Sequence, residues 1–313
     1  MLAHEDHFDE NIRRKYGAPF VDYHRADLQV ALFERAKELG VRFHLGAKVD
    51  SIDLHNTTVR TENGLTIGGD LIVAADGLWS KCREFFLGRK DDPMPTGDLA
   101  YRIVLKLDEL DDPELRDWVA NPKVHFWIGP GAHSVGYSLR AGQIYNIVLL
   151  CPDDLPHGVS RQAASIDEMK EFFRDWDPIL QRFLAQVDNV EKWKLMHHEE
   201  MEHWVNDRSN LVFMGDACHP MLPYLAQGAN SSLEDSAVLG ELLGRISSKK
   251  QLPHVLRVYE RLRKNRGEAI VRETFKQRND FHMYDGPKQE ERDALFLSKL
   301  GKDLGTEPFP SRW

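Results

Sequence analysis

The sequence is poor in cysteine, with only Cys82, Cys151 and Cys218 among its 313 residues. Three widely spaced cysteines are too few for a disulfide framework or for a four-ligand zinc site. Disulfide frameworks are typical of small secreted domains, whereas cytosolic proteins keep their thiols reduced. The cysteine content therefore predicts a cytoplasmic protein with free thiols.

Long apolar runs and excess positive charge are also missing. The longest clean apolar segments, residues 71–75 and 147–151, fall far short of the roughly 18 residues that suggest a membrane helix. No charged-then-apolar leader follows Met1, so a secretory signal is not expected. The formal net charge of −9 is opposite in sign to the basic stripe of proteins that bind nucleic-acid backbones. We expect neither an integral membrane segment nor a nucleic-acid partner.

What is present is the composition of a globular protein, with 42% hydrophobic and 29% charged residues, and the length favours two domains. Apolar residues between Leu28 and Leu39 recur at helical spacing, and Gly40 follows as a C-cap. A hairpin turn is expected at Asn63-Gly64. Around this turn, the sequence predicts short strands at residues 41–45, 49–54, 57–61, 65–67 and 70–75.

The pattern of apolar and polar residues changes near Pro93. Alternating apolar segments with glycine-containing turns predict an antiparallel sheet from residues 101–107, 124–128, 134–140, 144–150 and 190–197. A helix over residues 166–187 is expected to break at Asp177-Pro178. A buried strand at 211–214 precedes predicted helices at 231–246 and 254–281, and a polar tail begins at Asp285.

The most informative segment is residues 211–235. Its strand delivers Gly215-Asp216 to the carboxyl edge of a sheet, where ligands of α/β proteins bind. Gly228-Ala229-Asn230 then opens a helix, whose first N–H groups and positive dipole end suit an anionic or electron-rich ligand. An ordinary strand–loop–helix unit capped by Asn230 or Ser231 is the alternative interpretation.

Three motifs resemble those of FAD-dependent aromatic hydroxylases, the class A flavoprotein monooxygenases. The segment with Gly215-Asp216, Pro223 and Gly228-Ala229-Asn230 resembles their flavin-contacting signature and is most similar to salicylate hydroxylases. Asp76-Gly77, followed by Ser80 and Arg83, resembles a second signature. The segment from His24 to Gln29 resembles a third, and the motifs occur in the family's order.

The resemblance implies FAD as cofactor and NADH or NADPH as co-substrate. In the family, the aspartate corresponding to Asp216 binds the ribityl chain, and the helix start faces the pyrimidine edge of the flavin. The arginine corresponding to Arg25 reaches the FAD from the side. The implied FAD-binding residues are Arg25, Gln29, Val49, Asp76, Gly77, Asp216, Pro223, Gly228, Ala229 and Asn230.

One departure from the family concerns its Gly-x-Gly-x-x-Gly turn, which holds the FAD pyrophosphate. The sequence contains no such motif, and its first residues correspond to a point well inside the family's first domain. We therefore expect residues 1–313 alone not to retain FAD firmly, because the adenosine-diphosphate half lacks its usual helix N-terminus.

The middle of the chain is rich in histidine and aromatic residues. On a strand, His133 and Tyr137 share one face, as do His125 and Trp127. A His/Tyr pair lining an apolar cavity is suited to deprotonate a phenol, and His133 and Tyr137 are the predicted catalytic residues. A half-buried sheet with hydrogen-bonded polar residues is the alternative. Arg102 is suited either to a substrate carboxylate or to a structural ion pair.

The resemblance implies a mixed α/β fold: an FAD/NAD(P)-binding three-layer domain, N-terminally truncated, with an inserted antiparallel-sheet substrate domain. The predicted bounds are 1–90 and 203–275 for the FAD-binding domain, 91–202 for the substrate domain and 276–313 for a tail. The expected function is hydroxylation of a small salicylate-like or phenolic substrate through a flavin hydroperoxide. No metal is required, because the flavin carries the oxygen chemistry.

Two alternatives remain at this point. One is a truncated, catalytically incompetent homologue or an incomplete gene model. The other is a different flavoprotein oxidoreductase on the same scaffold, such as a halogenase or an unsaturated-bond reductase. The oligomeric state, the nicotinamide choice and the substrate do not follow from the sequence.

Overall fold

The computed structural model describes residues 1–299, which contain both helices and strands. The helices are α1 (Phe8–Tyr16), α2 (Arg25–Glu38), α3 (Lys81–Leu87), α4 (Pro113–Ala120), α5 (Ile166–Phe172), α6 (Pro178–Ala185), α7 (Gly228–Leu243), α8 (Leu252–Phe281) and α9 (Pro287–Lys299). The strands are β1 (Val49–Asp53), β2 (Thr58–Thr61), β3 (Thr66–Gly68), β4 (Ile72–Ala74), β5 (Met94–Lys106), β6 (Val124–Gly129), β7 (Ala132–Leu139), β8 (Ile144–Pro152), β9 (Arg161–Ala163), β10 (Glu191–His197) and β11 (Leu211–Phe213). Among these residues, no helix combines the length and the apolar character needed to cross a membrane.

The chain divides into two compact units. Of the described residues, unit 1 comprises 1–42, 97–195 and 279–299, and unit 2 comprises 43–96 and 196–278. This division differs from the predicted domains in that residues 1–42 belong to unit 1, together with the predicted substrate-domain sheet, and not to unit 2. A bidentate ion pair from Arg140, just after β7, to Asp27 on α2 ties this segment to the sheet, with contacts of 2.7 and 2.5 Å.

Unit 1 is built on a six-stranded sheet in the order β6-β7-β8-β5-β10-β9. One face is covered by α4, α5 and α6, whose apolar residues pack with alternate residues of β5 and β8 in a continuous core. The expected break in the helix after Ile166 is confirmed, because Asp177 caps α6 and Pro178 is its first residue.

The opposite face of this sheet is more open. Tyr137 on β7 lies opposite Asn146 on β8, and Val148 lies opposite Arg102 on β5. Directly opposed residues of antiparallel strands project to the same face. Val104, on this face, is 53% exposed. The predicted catalytic and substrate-side residues therefore lie on the sheet face opposite α4–α6.

Unit 2 contains a three-stranded antiparallel sheet, β1-β2-β3, and a parallel pair, β11-β4. Phe213 lies opposite Ala74, so both strands of the parallel pair end at the same edge. Tyr259 on α8 donates a hydrogen bond of 3.0 Å to the Phe213 carbonyl, which fixes the long helix against β11. The predicted strand at residues 41–45 is wrong: this segment is not a strand, and Leu45 is 78% exposed.

Candidate functional site

Two of the predicted motifs meet at the carboxyl edge of the parallel pair in unit 2. Asp76-Gly77 follows β4, and Gly215-Asp216 follows β11. Because the strands run in the same direction, both turns leave the sheet at the same edge, where ligands of α/β sheets bind. The structure thus brings two distant sequence motifs together.

The first turn is closed by its own aspartate. Asp76 accepts hydrogen bonds from Ser80 Oγ at 2.6 Å and from the Cys82 backbone N–H at 3.1 Å. Ser80 in turn caps α3 by accepting from the Arg83 N–H at 3.1 Å. Gly77 has a φ of +75°, a left-handed conformation that glycine adopts without steric cost. Both oxygens of the Asp76 carboxylate therefore organise the start of α3.

Arg83, the last residue of the second motif, is buried. Its Nε donates to Asp91 at 2.6 Å, and its two terminal nitrogens donate to the carbonyls of Glu199 and Ala217 at 3.2 and 3.3 Å. Ala217 belongs to the turn after β11, so Arg83 joins the two turns. Its role in this structure is to fix the edge of the sheet.

The second turn is held by a carboxylate from another element. The Gly215 N–H donates to Asp235 Oδ2 on α7 at 2.9 Å, and His219 Nε2 contacts the same oxygen at 2.6 Å. Arg263 Nε on α8 donates to Asp235 Oδ1 at 2.7 Å. Burial raises the pKa of Asp235, but the hydrogen bonds from His219, Gly215 and Arg263 outweigh it and leave that pKa below its usual value. Asp216 itself is partly exposed beside this network.

The segment after this turn leads to the start of α7. Pro223, which is exposed, opens a short 3-10 turn, and Ala226 adopts a left-handed conformation before the helix. The N-cap, Gln227, makes no side-chain capping hydrogen bond, and the first intrahelical bond runs from the Ser231 N–H to the Gln227 carbonyl at 2.8 Å. The N–H groups at the start of an α-helix precede the intrahelical ladder. The predicted residues Gly228, Ala229 and Asn230 supply these groups.

These residues fit the flavin portion of FAD. The α7 start presents backbone donors with the positive end of the helix dipole, which matches an electron-rich ring edge. Asp216 offers carboxylate oxygens of the kind that accept hydrogen bonds from sugar-alcohol hydroxyls. In unit 2, Val49 and Asp76 line one open, largely apolar cavity of about 810 Å³.

The remaining predicted cofactor residues lie in unit 1. Arg25 is the first residue of α2, Gln29 follows one turn later, and both are exposed. Arg25 is close enough to Arg102 and Tyr137 to influence both electrostatically. The predicted FAD-flank residue thus shares a neighbourhood with a predicted catalytic residue.

Tyr137 and His133 occupy different environments on β7. Tyr137 is half-buried, and burial followed by the nearby Asp22 raises its pKa, although Arg102 and Arg25 act in the opposite direction. His133 is buried, and its Nδ1 lies 2.8 Å from His282 Nε2. Burial, with His282 as a second cause, lowers the pKa of His133 well below its usual value. Tyr137 is the more accessible of the two.

The sequence did not single out the Asp235–His219–Arg263 network. A signal existed in the acidic pair Glu234-Asp235 on the helix that follows the glycine motif. Cys218, His219 and Asp235 also place possible metal-ligand atoms within 4.8 Å of one another. However, both oxygens of Asp235 already accept hydrogen bonds, one of them from Arg263. This arrangement is that of a buried ion pair.

Comparison with known proteins agrees with this geometry. A family model described as an FAD binding domain matches residues 5–274. The FAD-dependent monooxygenase OpS4 of Beauveria bassiana is 49% identical over 316 residues, which cover 100% of this chain and 73% of OpS4. A 3-hydroxybenzoate 6-hydroxylase of Polaromonas naphthalenivorans is 32% identical over 265 residues, covering 84% of this chain and 64% of the hydroxylase.

The fold is also found in solved structures. A salicylate hydroxylase in complex with its substrate matches with a TM-score of 0.73 and 23% identity, covering 90% of this chain and 71% of the hydroxylase. The chain thus spans between about two thirds and three quarters of the length of these relatives. With a matching FAD-binding domain over most of its length and a relative at 49% identity, the chain belongs to the FAD-dependent monooxygenases, a family of oxidoreductases.

Proposed function

We propose that this protein hydroxylates a small aromatic substrate, with FAD as cofactor and NADH or NADPH as reductant. In this reaction O₂ is the oxidant: one oxygen atom enters an aromatic C–H bond and the other leaves as water. NAD(P)H supplies two electrons and is oxidised to NAD(P)⁺, with one proton taken from solvent. Bound FAD supplies the electron transfer and the activation of O₂, while the protein supplies binding, orientation and electrostatics.

The observation that carries this proposal is the shared edge of β4 and β11 in unit 2. Asp216 is partly exposed there, and α7 begins after it without a side-chain cap. We propose that the N–H groups of Gly228, Ala229 and Asn230 bind the pyrimidine edge of the flavin and that Asp216 accepts from the ribityl hydroxyls. Arg25 and Gln29 would hold the FAD from the side.

The substrate class is supported by the open face of the unit 1 sheet. Tyr137, with its raised pKa, stays protonated at neutral pH and can donate a hydrogen bond to a substrate oxygen. Burial keeps the His133 imidazole neutral, and in this form one ring nitrogen can accept a hydrogen bond. The relative that acts on 3-hydroxybenzoate supports a phenolic acid as the first substrate to test. A reducing, cytoplasmic location agrees with three free, buried cysteines.

The test is to supply the purified chain with each nicotinamide in turn, O₂, a panel of phenolic acids and a large excess of FAD, since residues 1–313 alone are not expected to retain the cofactor firmly. We expect NAD(P)H oxidation together with a product heavier by one oxygen atom, measured by mass spectrometry. Tyr137→Phe should slow product formation by about tenfold or more, since positioned proton-transfer groups contribute at least that much. Its affinity for FAD, measured by flavin fluorescence, should stay within about threefold of the parent.

A matched control is Tyr16→Phe, which removes a hydroxyl from a tyrosine that is 59% exposed on α1. This control should hydroxylate at the parent rate. Nicotinamide oxidation that yields only hydrogen peroxide with every aromatic acid would contradict the hydroxylase proposal. Failure to bind FAD at any concentration would instead favour the catalytically incompetent homologue.

A further inference from the structure

Asp235 is the centre of a buried polar network that joins three elements of unit 2. The residue is fully buried on α7, and its carboxylate contacts Gly215 in the turn after β11, His219 just beyond that turn, and Arg263 on α8. Arg263 also donates to the Ser231 carbonyl at 3.3 Å and to Glu234 Oε2 at 2.6 Å. The network therefore reaches both the turn that carries Asp216 and the first turn of α7.

The turn packs closely against α7 at position 215. Gly215 has a φ of +61°, and a Cβ placed there would lie 2.9 Å from Ser232 Oγ. Real Cβ contacts are essentially never that short, so the Ser232 hydroxyl or the turn would have to shift. Close packing and the Gly215–Asp235 hydrogen bond together fix the position of the turn relative to the helix.

Asp235 and Arg263 depend on each other for charge balance. A buried carboxylate without a partner is strongly disfavoured, and the same holds for a buried guanidinium. In this network the arginine compensates the carboxylate through Oδ1, which leaves Oδ2 to accept from the turn and from His219. His219 is itself buried, and its ring lies against Trp204 with centroids 5.2 Å apart. These side chains are held in one arrangement.

We propose that Asp235, His219 and Arg263 are positioning residues that set the spacing between Asp216 and the start of α7. They lie below the edge proposed to bind flavin, and they act through the Gly215 N–H and the Ser231 carbonyl. A change in this network moves the two groups relative to each other without removing either. The residues thereby control the affinity for an isoalloxazine–ribityl ligand from inside the protein.

The primary test needs no cofactor. Amide hydrogen exchange of Gly215 can be followed by NMR with glycine-selective isotope labelling. The internal reference is the Gly69 amide of the same unit, which donates to the Thr57 carbonyl at 3.0 Å. Asp235→Asn should accelerate exchange at Gly215 by tenfold or more relative to Gly69, because the neutral amide binds Arg263 and the turn less strongly. Equal acceleration at both glycines would overturn the proposal, since it would reflect general destabilisation.

Glu234→Gln is the matched control. Glu234 is the adjacent residue on α7, and it pairs with Arg263 and Arg266 without contacting Gly215 or His219. This variant loses a charged partner of the same arginine, so it should lower stability without a selective change at Gly215. A selective change of the same size would show that the position of the turn does not depend on Asp235.

His219 provides a test by conservative rescue. His219→Leu removes the donor to Asp235, whereas His219→Gln places an amide N–H near the position of Nε2. We expect fast Gly215 exchange in the leucine variant and exchange within about threefold of the parent in the glutamine variant. If both variants exchange like the parent, His219 is not part of the positioning network.

A flavin titration completes the experiment. For each variant, the loss of affinity for riboflavin or FAD should follow the Gly215 exchange rate and not the melting temperature. The proposal rests on flavin binding at this edge but not on hydroxylation, so a chain that binds flavin without hydroxylating any aromatic acid would still give this result. Parent-like flavin affinity combined with fast Gly215 exchange would overturn the claim that the network controls binding.

Discussion

The two turns at the carboxyl edge of the parallel pair are alike in sequence and different in construction. Each contains an aspartate beside a glycine with positive φ, at Asp76-Gly77 and at Gly215-Asp216. In the first turn the aspartate of the motif bonds Ser80 and Cys82. In the second turn, Asp235 of α7 accepts a hydrogen bond from the Gly215 N–H, and the motif's own Asp216 is exposed. The comparison teaches that the same residue pair can close its turn with its own aspartate or be held by a carboxylate from another helix.

The largest expected effect concerns the cysteine beside each turn. Burial, and then Asp76, raises the pKa of Cys82, and burial, and then Asp235, raises the pKa of Cys218. Both thiols should therefore react with iodoacetamide at pH 8 at least 100-fold more slowly than a free cysteine. Since the thiolate fraction stays small, each rate should keep rising by about tenfold per pH unit beyond pH 9, where an ordinary thiol levels off.

Mass spectrometry of alkylated peptides measures the two sites separately. Asp76→Ala should accelerate labelling at Cys82 selectively, because it removes the carboxylate that, after burial, raises the pKa of that thiol. Labelling rates that level off near pH 9 at either site would contradict the raised pKa values.

The next largest effect is expected for Asp216, the aspartate proposed to bind the ribityl chain. Asp216→Ala should weaken FAD binding by about 10- to 100-fold, which corresponds to loss of one charge-assisted hydrogen bond of about 1.5–3 kcal/mol. Its unfolding free energy should stay within about 0.5 kcal/mol of the parent, as for other partly exposed positions. A fluorescence titration and a urea unfolding curve give the two quantities. Unchanged FAD affinity would remove Asp216 from the proposed site.

Asp76→Ala should show the converse pattern with a smaller magnitude. Loss of the hydrogen bonds to Ser80 and Cys82 should lower the unfolding free energy by about 1–2 kcal/mol, a range typical of lost helix caps. The affinity for FAD should change less than in Asp216→Ala. If Asp76→Ala weakens FAD binding more than Asp216→Ala does, the assignment of the two turns is reversed.

The smallest effect separates the two glycines. Gly77→Ala should destabilise the protein by about 1 kcal/mol, the cost of a left-handed conformation for a residue with a Cβ. No heavy atom lies within 4 Å of that Cβ, whereas at Gly215 the Ser232 hydroxyl lies 2.9 Å away. Gly215→Ala should therefore lose about 1 kcal/mol more than Gly77→Ala in urea unfolding. Equal losses would show that the second turn is not tightly packed.

Local signals in the sequence predicted much of this edge. The apolar run of β11 followed by Gly215-Asp216 and the run of β4 followed by Asp76-Gly77 are both confirmed as strands with terminal turns. Only β11 is fully buried, since Val73 on β4 is 41% exposed. The family resemblance, also confirmed, implied that residues of both turns contact FAD. Spacing alone does not reveal that the strands are parallel neighbours, since they are far apart in the chain.

Other features were not predicted, most of them because they depend on tertiary contacts. Helix α4 is the exception, since it begins at Asp112-Pro113, a local cap-and-proline signal. The Asp235–Arg263 pair joins residues from two helices, and no periodicity predicts which carboxylate turns inward. At residues 41–45 the sequence predicted an element that is absent. Apolar and polar residues alternate there as in a strand, but such a segment forms a strand only where a partner strand is present.

The pairing of β4 with β11 also has a consequence for folding. Ile72 lies opposite Leu211, so the chain must close a very long loop before these strands meet. The entropy of closure grows only slowly with loop length, by about 0.6 kcal/mol per doubling, but contacts of long sequence separation form late. The intervening sheet has short hairpins, β6-β7 and β7-β8, that form locally. The chain enters this sheet through β5 and leaves it through β10, and these two strands are neighbours in the sheet. In refolding experiments the substrate-side sheet should therefore gain protection first, and the flavin edge should assemble last.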